Sequence, residues 1–320
     1  MKKLKSFFLL GLALMLTGVT LSSMKADDDR LSKEETKAVI DDLNSELRNM
    51  YLRQDLCDTI KQTLEKKLTN GEFYDITPDE FAARMKTVLR DISNDLHFHV
   101  GVFREQPQRP QGEGPRRPRN EKSLDTVRIL DGNIGYIKWR SFIANDYSFK
   151  EMREAVEKVK DCKALIIDVS RNGGGDGRNG GYLNQFLYKD KDYQDLLIKR
   201  CAHEENWYRS EVPYNYEGGT NLFDMPLYVI IDGRTFSAAE YFAFITKEMK
   251  RGTIIGEKTP GGGHPINSVI IRNKFQVFIP VCEIRTRDGK DLEGQGVSPD
   301  VELKSQDWIQ ETVDYINKNL

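Results

Sequence analysis

An α/β core preceded by a helical region is the fold this sequence predicts, on three observations. Residues 31–95 carry apolar side chains at helical spacing. A stretch rich in Pro, Gly and Arg, 106–120, then breaks that pattern as a mobile loop or connector would. From about residue 125 short apolar runs alternate with helical segments, which is how an α/β domain is written.

The N-terminus reads MKKLKSFFLLGLALMLTGVTLSSMKADDDR: lysines, an apolar run from Phe7 to Leu21, small residues, then acid. That order is a secretory signal peptide, assigned to residues 1–26 with Ala26 as the candidate cleavage residue. The apolar run, about 15 residues, is short for the roughly 20 that a membrane-spanning helix needs. No cysteine lies near it, which excludes a lipid-modified N-terminal cysteine, and no second long apolar run follows. The mature chain is therefore expected to be exported, periplasmic or secreted, with no membrane span. The full sequence of 320 residues includes 48 basic and 50 acidic ones, for a formal charge of −2. Such a balance gives no electrostatic case for nucleic acid or an anionic membrane as partner.

Four cysteines, 57, 162, 201 and 282, would meet an oxidising compartment after export. Their spacing fits no zinc pattern. Cys162 and Cys282 lie in or beside strand-like runs and read as buried thiols; the sequence assigns no disulfide.

Residues 27–100 form the predicted helical domain. SKEETKAVIDDLNSELRNMYL opens on a Ser-x-x-Glu capping box and repeats apolar residues at Val39, Ile40, Leu43 and Leu47. In ITPDEFAARMKTVLRDI, Thr77 caps, Pro78 takes the first helical position, and Phe81, Met85 and Leu89 form a stripe. DLHFHVGVF, 95–103, alternates like a strand and would put His97 and His99 on one face. A loop or linker, 101–124, separates this region from the core domain, 125–305, and a helix over 306–320 ends the chain. Within the core, VRILDGNIGYIKW reads as a hairpin through Asp131-Gly132. A helix at SFKEMREAVEKVKD and a buried strand at ALIIDVS follow, and then further strands around a helix over 236–250.

Four motifs carry candidate chemistry. In IIDGRTFSAAEYFAF, Ser237 stands where an apolar strand has turned into a helix. A serine there meets unpaired N–H groups and the positive end of the helix dipole, as a nucleophile stabilising an oxyanion would need. It also fits a plain helix cap, and the motif by itself does not separate the two. In ALIIDVSRNGGGDGRNGG, glycines after a strand let backbone N–H groups converge on an anion, which makes Gly173 and Gly174 candidate oxyanion donors or a tight turn. The spacing is that of neither nucleotide-binding glycine motif. His97 and His99 lack a third zinc ligand at recognisable spacing, so a base in acyl transfer is the more economical use of a histidine. Glu293, in DLEGQGVSPDV, reads alone as a surface acid on a turn.

The order of DLHFHV, GYIKWRSF, LIIDVSRNGGG, IIDGRTFSAAE, IIGEKTPGGGHP and LEGQGVSPDV resembles that in the C-terminal processing (tail-specific) serine peptidases. The likeness is nearer to their branch with the tricorn core protease and the interphotoreceptor retinoid-binding protein modules, and it covers nearly all of residues 31–305. It implies a ββα spiral core of the ClpP/crotonase type behind an N-terminal helical domain. It also implies Ser237 as nucleophile, His97 as base and Glu293 as the acid that orients or polarises the histidine. The N–H of Ala238, with that of Gly173 or Gly174, would form the oxyanion hole. Gly262 stands where the lysine-using branch has its general base, so Ser–His–Glu is expected here, with His264 as the reserve base and with no metal or cofactor. Residues 101–124 are too short for a PDZ-like module, so the expected substrate is a short peptide or unfolded protein segment. The retinoid-binding modules imply a second reading, a non-catalytic binder of an apolar ligand or peptide on the same fold.

Overall fold

The computed structural model describes residues 30–104, 122–210, 214 and 218–320. The signal segment with Ala26, and the whole Pro- and Arg-rich stretch 106–120, lie outside the described residues.

Three helices come first: α1 (Lys33–Met50), α2 (Cys57–Thr69) and α3 (Pro78–Ser93). Ser32 and Glu35 close the capping box of α1, and Thr77 and Glu80 close that of α3, so each helix starts with its free N–H groups satisfied. α3 stops at Asn94, whose φ of 55° is the left-handed conformation that ends helices. The chain then turns into β1 (His99–Val102). The strand expected from residue 95 thus begins at His99, and the reason is local. Asp95 Oδ1 accepts the His97 N–H at 2.8 Å and curls residues 95–97 into an Asx turn. His97 and His99 consequently do not share a face; His97 is 7 % exposed, while His99 is open to solvent.

The central sheet uses β2 (Leu124–Leu130) and β3 (Ile134–Trp139), an antiparallel hairpin, followed by α4 (Asp146–Val159) and β4 (Ala164–Asp168). Next come α5 (Arg178–Leu187), α6 (Tyr193–Leu196), β5 (Leu197–Cys201) and β6 (Tyr208–Arg209). β7 (Leu227–Ile231), α7 (Ala238–Glu248) and β8 (Thr253–Gly256) return to the large sheet. β9 (Ile266–Ile271), β10 (Phe275–Pro280), β11 (Cys282–Thr286), β12 (Val301–Glu302) and α8 (Trp308–Asn319) complete the chain. The large sheet runs β12-β8-β7-β4-β3-β2, parallel except at the β2 edge. Its central strands, ALIID and LYVII, are buried on both faces, hence their near-continuous apolar runs. Leu165, Ile167, Val229 and Ile231 meet α4, α5 and α7, whereas Ile166, Tyr228 and Ile230 meet α8.

The hairpin β9–β10 does not join that sheet. It pairs with β1, and its Ile271, Phe275, Val277 and Ile279 share an apolar core with Leu43, Leu47, Phe81, Met85 and Phe98. Residues 266–280 therefore pack with the N-terminal helices, although the strand pattern groups them with the core that starts at 125. The remaining sheet, β11-β5-β6, puts Cys282 opposite Cys201, and the two form a disulfide. This corrects the expectation of a buried Cys282 thiol: cross-strand pairing joins residues that sequence spacing does not. Cys57 and Cys162 are buried and free.

Candidate active site

Ser237 lies between β7 and α7 on a turn that is bolted down on both sides. Thr235 Oγ1 donates to Val169 O at 3.0 Å, and Phe236 N–H to Asn172 O at 2.9 Å. The serine itself has φ 55° and ψ −125°, a conformation that costs a non-glycine residue roughly 1–3 kcal/mol. Its N–H donates to Glu240 Oε2 at 2.9 Å. Glu240 is fully buried and also accepts the N–H of Gly261 at 2.7 Å and of Gly262 at 2.8 Å. One carboxylate thus ties the serine turn to the 261–263 loop. Burial raises the pKa of Glu240, and these donors oppose that shift.

The glycine run after β4 packs against this turn. At Gly174, with φ 88°, a Cβ would fall 2.8 Å from Ser237 Cβ and 2.9 Å from Ala238 N, so only glycine permits the approach. Gly174 N–H already donates to Asn172 Oδ1 at 2.9 Å. Of the two glycines expected as oxyanion donors, Gly174 therefore contributes proximity, and Gly173 has the uncommitted N–H. Neither Gly173 N–H nor Ala238 N–H donates a hydrogen bond among the described residues.

The histidines arrive from the other side. The His97 ring packs on Phe236 with centroids 4.6 Å apart, next to the serine in sequence, and both its nitrogens are buried without a partner among the described residues. Burial lowers its pKa to about 4, and the nearby Asp95 charge only partly opposes this. Gly262 touches the same two rings: a Cβ there would lie 2.2 Å from Phe236 Cε2 and 2.9 Å from His97 Cε1. A side chain at this position would have to displace one or both rings.

Glu293 does not reach His97. No contact at ion-pair distance joins them among the described residues; Glu293 Oε2 lies 3.6 Å from His264 Nδ1 and accepts Gly263 N–H at 2.6 Å. The expected orienting role toward His97 is thus not made directly, because the 261–264 loop interposes His264. Asp95 is the carboxylate beside His97, with Oδ1 3.8 Å from Nδ1, and its Oδ2 accepts from His264 Nδ1 at 2.6 Å. Burial disfavours a charged His264, but the Asp95 hydrogen bond and the Glu293 and Asp95 charges outweigh it and raise its pKa. Burial pushes Glu293 up to about 7 against the pull of His264. Asp95, His264 and Glu293 offer oxygen and nitrogen atoms within 4.8 Å of one another, a spacing that a cation could use. The 2.6 Å contact between Asp95 and His264 is instead that of a hydrogen bond.

Sequence reasoning missed Asp95 and Glu240. Both had signals: Asp95 is the first residue of the Asp-x-His run, and SAAE is a capping-box pattern with Glu three residues after the serine.

A model of peptidase family S41 matches residues 133–303. The C-terminal processing peptidase of Tetradesmus obliquus chloroplasts is 29% identical over 170 residues, which are 53% of this chain and 35% of that protein. The chain spans little more than a third of the curated relatives it matches. Among solved structures, a lipoprotein from Streptococcus agalactiae aligns at 17% identity and TM-score 0.60, covering 89% of this chain and 97% of its own. The tricorn protease aligns at 14% identity and TM-score 0.58, over 89% of this chain and 37% of its own. At such identities the structural likeness establishes the fold, the ClpP/crotonase-type core with its N-terminal helical layer.

Proposed function

Because this chain belongs to peptidase family S41, we propose that it is a serine peptidase that cleaves short peptides or unfolded protein segments, with Ser237 as nucleophile and His97 as general base. The observation that carries the reading is the strained turn at Ser237, φ 55°, at a strand-to-helix junction with Ala238 N–H and Gly174 against it. Sharp turns of this kind expose a nucleophilic serine beside free amides.

With substrate bound, His97 Nε2, which has no hydrogen-bond partner among the described residues at rest, takes the Ser237 Oγ proton as the oxygen adds to the scissile carbonyl carbon. The carbonyl electron pair moves onto oxygen, where the N–H groups of Ala238 and Gly173 receive it. Collapse breaks the C–N bond, and the leaving amine takes the proton from His97. Water, deprotonated by the same ring, then hydrolyses the ester on Ser237. The lowered pKa of His97 keeps the ring neutral, and so able to accept a proton, across the neutral range.

The test is to incubate the purified chain with reduced, alkylated polypeptide and sequence the new termini by mass spectrometry. Cleavage that disappears in Ser237→Ala is expected; an uncut substrate after incubation with folded wild type contradicts the reading.

Export belongs to the same proposal. The Cys201–Cys282 disulfide suits an oxidising compartment, and among the described residues no helix is long and apolar enough to cross a membrane. N-terminal sequencing after expression in a bacterial host should find the chain starting just after Ala26. A chain retaining Met1 contradicts the signal-peptide reading.

A further inference from the structure

We propose that Asp95 is the carboxylate that steers His97, and that His264, gripped between Asp95 and Glu293, is the residue that positions Asp95. The inference rests on His97 being the base, but the underlying order Glu293–His264–Asp95–His97 can be tested without catalysis.

The geometry is a chain of four groups drawn from three distant stretches of sequence. Glu293 Oε2 is anchored by Gly263 N–H at 2.6 Å and stands 3.6 Å from His264 Nδ1. His264 Nδ1 donates to Asp95 Oδ2 at 2.6 Å. Asp95 Oδ1 accepts the N–H of His97 at 2.8 Å and faces His97 Nδ1 across 3.8 Å. Arg90, on α3, holds the backbone on both sides of His97, donating to Leu96 O at 2.6 Å and to Phe98 O at 2.8 Å. The other charged group that acts on His264 is Asp291.

Asp95 is only 3 % exposed, and burying a carboxylate without a hydrogen-bonding partner is costly. His264 supplies one and fixes the plane of the carboxylate, so that Oδ1 points at His97. With Nε2 free to take the proton of Ser237, the His97 Nδ1–H faces Asp95 Oδ1 across 3.8 Å, the carboxylate it approaches as the ring becomes charged. The two histidines thus divide the work by charge. His97 is kept neutral by burial and can accept a proton. The hydrogen bond to Asp95 and the two neighbouring carboxylates shift His264 the other way, toward the protonated form.

The test is imidazole NMR of the full chain, which has only four histidines, in wild type, Asp95→Asn, His264→Gln and Glu293→Gln. Removing the Asp95 charge should lower the pKa of both His97 and His264, by about one unit or more. Glu293→Gln should lower that of His264 and leave His97 in place, and His264→Gln should raise that of His97. The His99 and His203 resonances report that each variant is folded; should Asp95→Asn fail that check, Glu293→Gln decides between the same outcomes. Unmoved titrations in folded Asp95→Asn, or a Glu293→Gln change that falls equally on both rings, overturn the order of the chain. In the rate profile, His264→Gln should move the acid limb of kcat/KM to higher pH and lower kcat about tenfold or more. An unchanged profile contradicts the positioning role. A wild type that cleaves nothing while the NMR pattern holds counts instead against the peptidase reading.

Discussion

Ser237 leaves a strand buried on both faces and enters a helix through a turn pinned by Thr235, Asn172 and Glu240, all supplied by neighbouring stretches of the sheet domain. His97 instead stands on a turn held by Arg90 of α3 and followed by a strand that pairs Val100 with Val277. The serine side rests on the apolar core of the large sheet, and the histidine side on the core of the N-terminal helices with β9 and β10. The two cores meet at the site, where Glu240, Gly262 and Glu293 make the seam. A nucleophile built locally keeps its shape by itself; a base brought in from another core keeps its aim only while that seam is intact.

Changes on the serine side should show this most strongly. Ser237→Gly should reduce cleavage by about 10³-fold or more. The same change should raise the unfolding midpoint, because glycine relieves a conformation that costs serine roughly 1–3 kcal/mol. A less stable Ser237→Gly would show that the turn is not strained. On the other side, His97→Ala should lower kcat/KM by about 10²–10⁴-fold, and adding it to Ser237→Ala should cost little more. Fully additive losses in the double variant would mean that the two residues do not act as a unit.

The seam should respond to a single methyl group. Gly262→Ala places a Cβ 2.2 Å from Phe236 and 2.9 Å from His97. It should destabilise the fold by about 1–3 kcal/mol and slow cleavage about tenfold by displacing the ring. Gly173→Ala is the control, since a Cβ there meets nothing within 4 Å, and its stability should stay within about 0.5 kcal/mol of wild type. Denaturant titration of both variants, alongside their rates, separates loss of aim from loss of fold.

A pH dependence of stability should accompany these changes without altering the rate at neutral pH. The folded-state pKa of His97, about 4, lies below its ordinary value of 6.5. Between these values the unfolded chain binds the extra proton, so the contribution is complete above pH 6.5 and is lost as pH falls toward 4. It amounts to at most about 3 kcal/mol. Glu293, with its pKa raised from 4.5 to about 7, acts in the opposite sense: its contribution is present below 4.5 and lost as pH rises through 7. The stability difference between wild type and His97→Phe isolates the first term, and it should shrink in favour of the variant on acidification. A difference that stays flat from pH 7 to 4 would show that His97 titrates normally.

The same asymmetry explains what could be read from the sequence. Capping boxes, the Asp131-Gly132 hairpin and the strand-turn-helix at Ser237 depend on residues a few positions apart, and their patterns were legible. The partnership of His264 with Asp95 and Glu293, and the pairing of Cys201 with Cys282, depend on cross-strand and loop contacts that leave no periodic trace. The hairpin 266–280 was recognisable as two strands, but its destination was not, because alternation specifies a buried face without specifying what buries it. His97 was separated from His99 only through the order of motifs, since neither histidine beside a short strand carries a distinguishing signal of its own.

The most direct measurement is the rate at which a fluorophosphonate probe labels the folded chain between pH 4 and 8, with the modified residue mapped by mass spectrometry. Labelling of Ser237 is expected, falling as the pH drops toward the His97 pKa of about 4 and disappearing in His97→Ala. A folded wild type that takes no label, or a His97→Ala variant labelled at the wild-type rate, would contradict the pairing of this serine with this histidine.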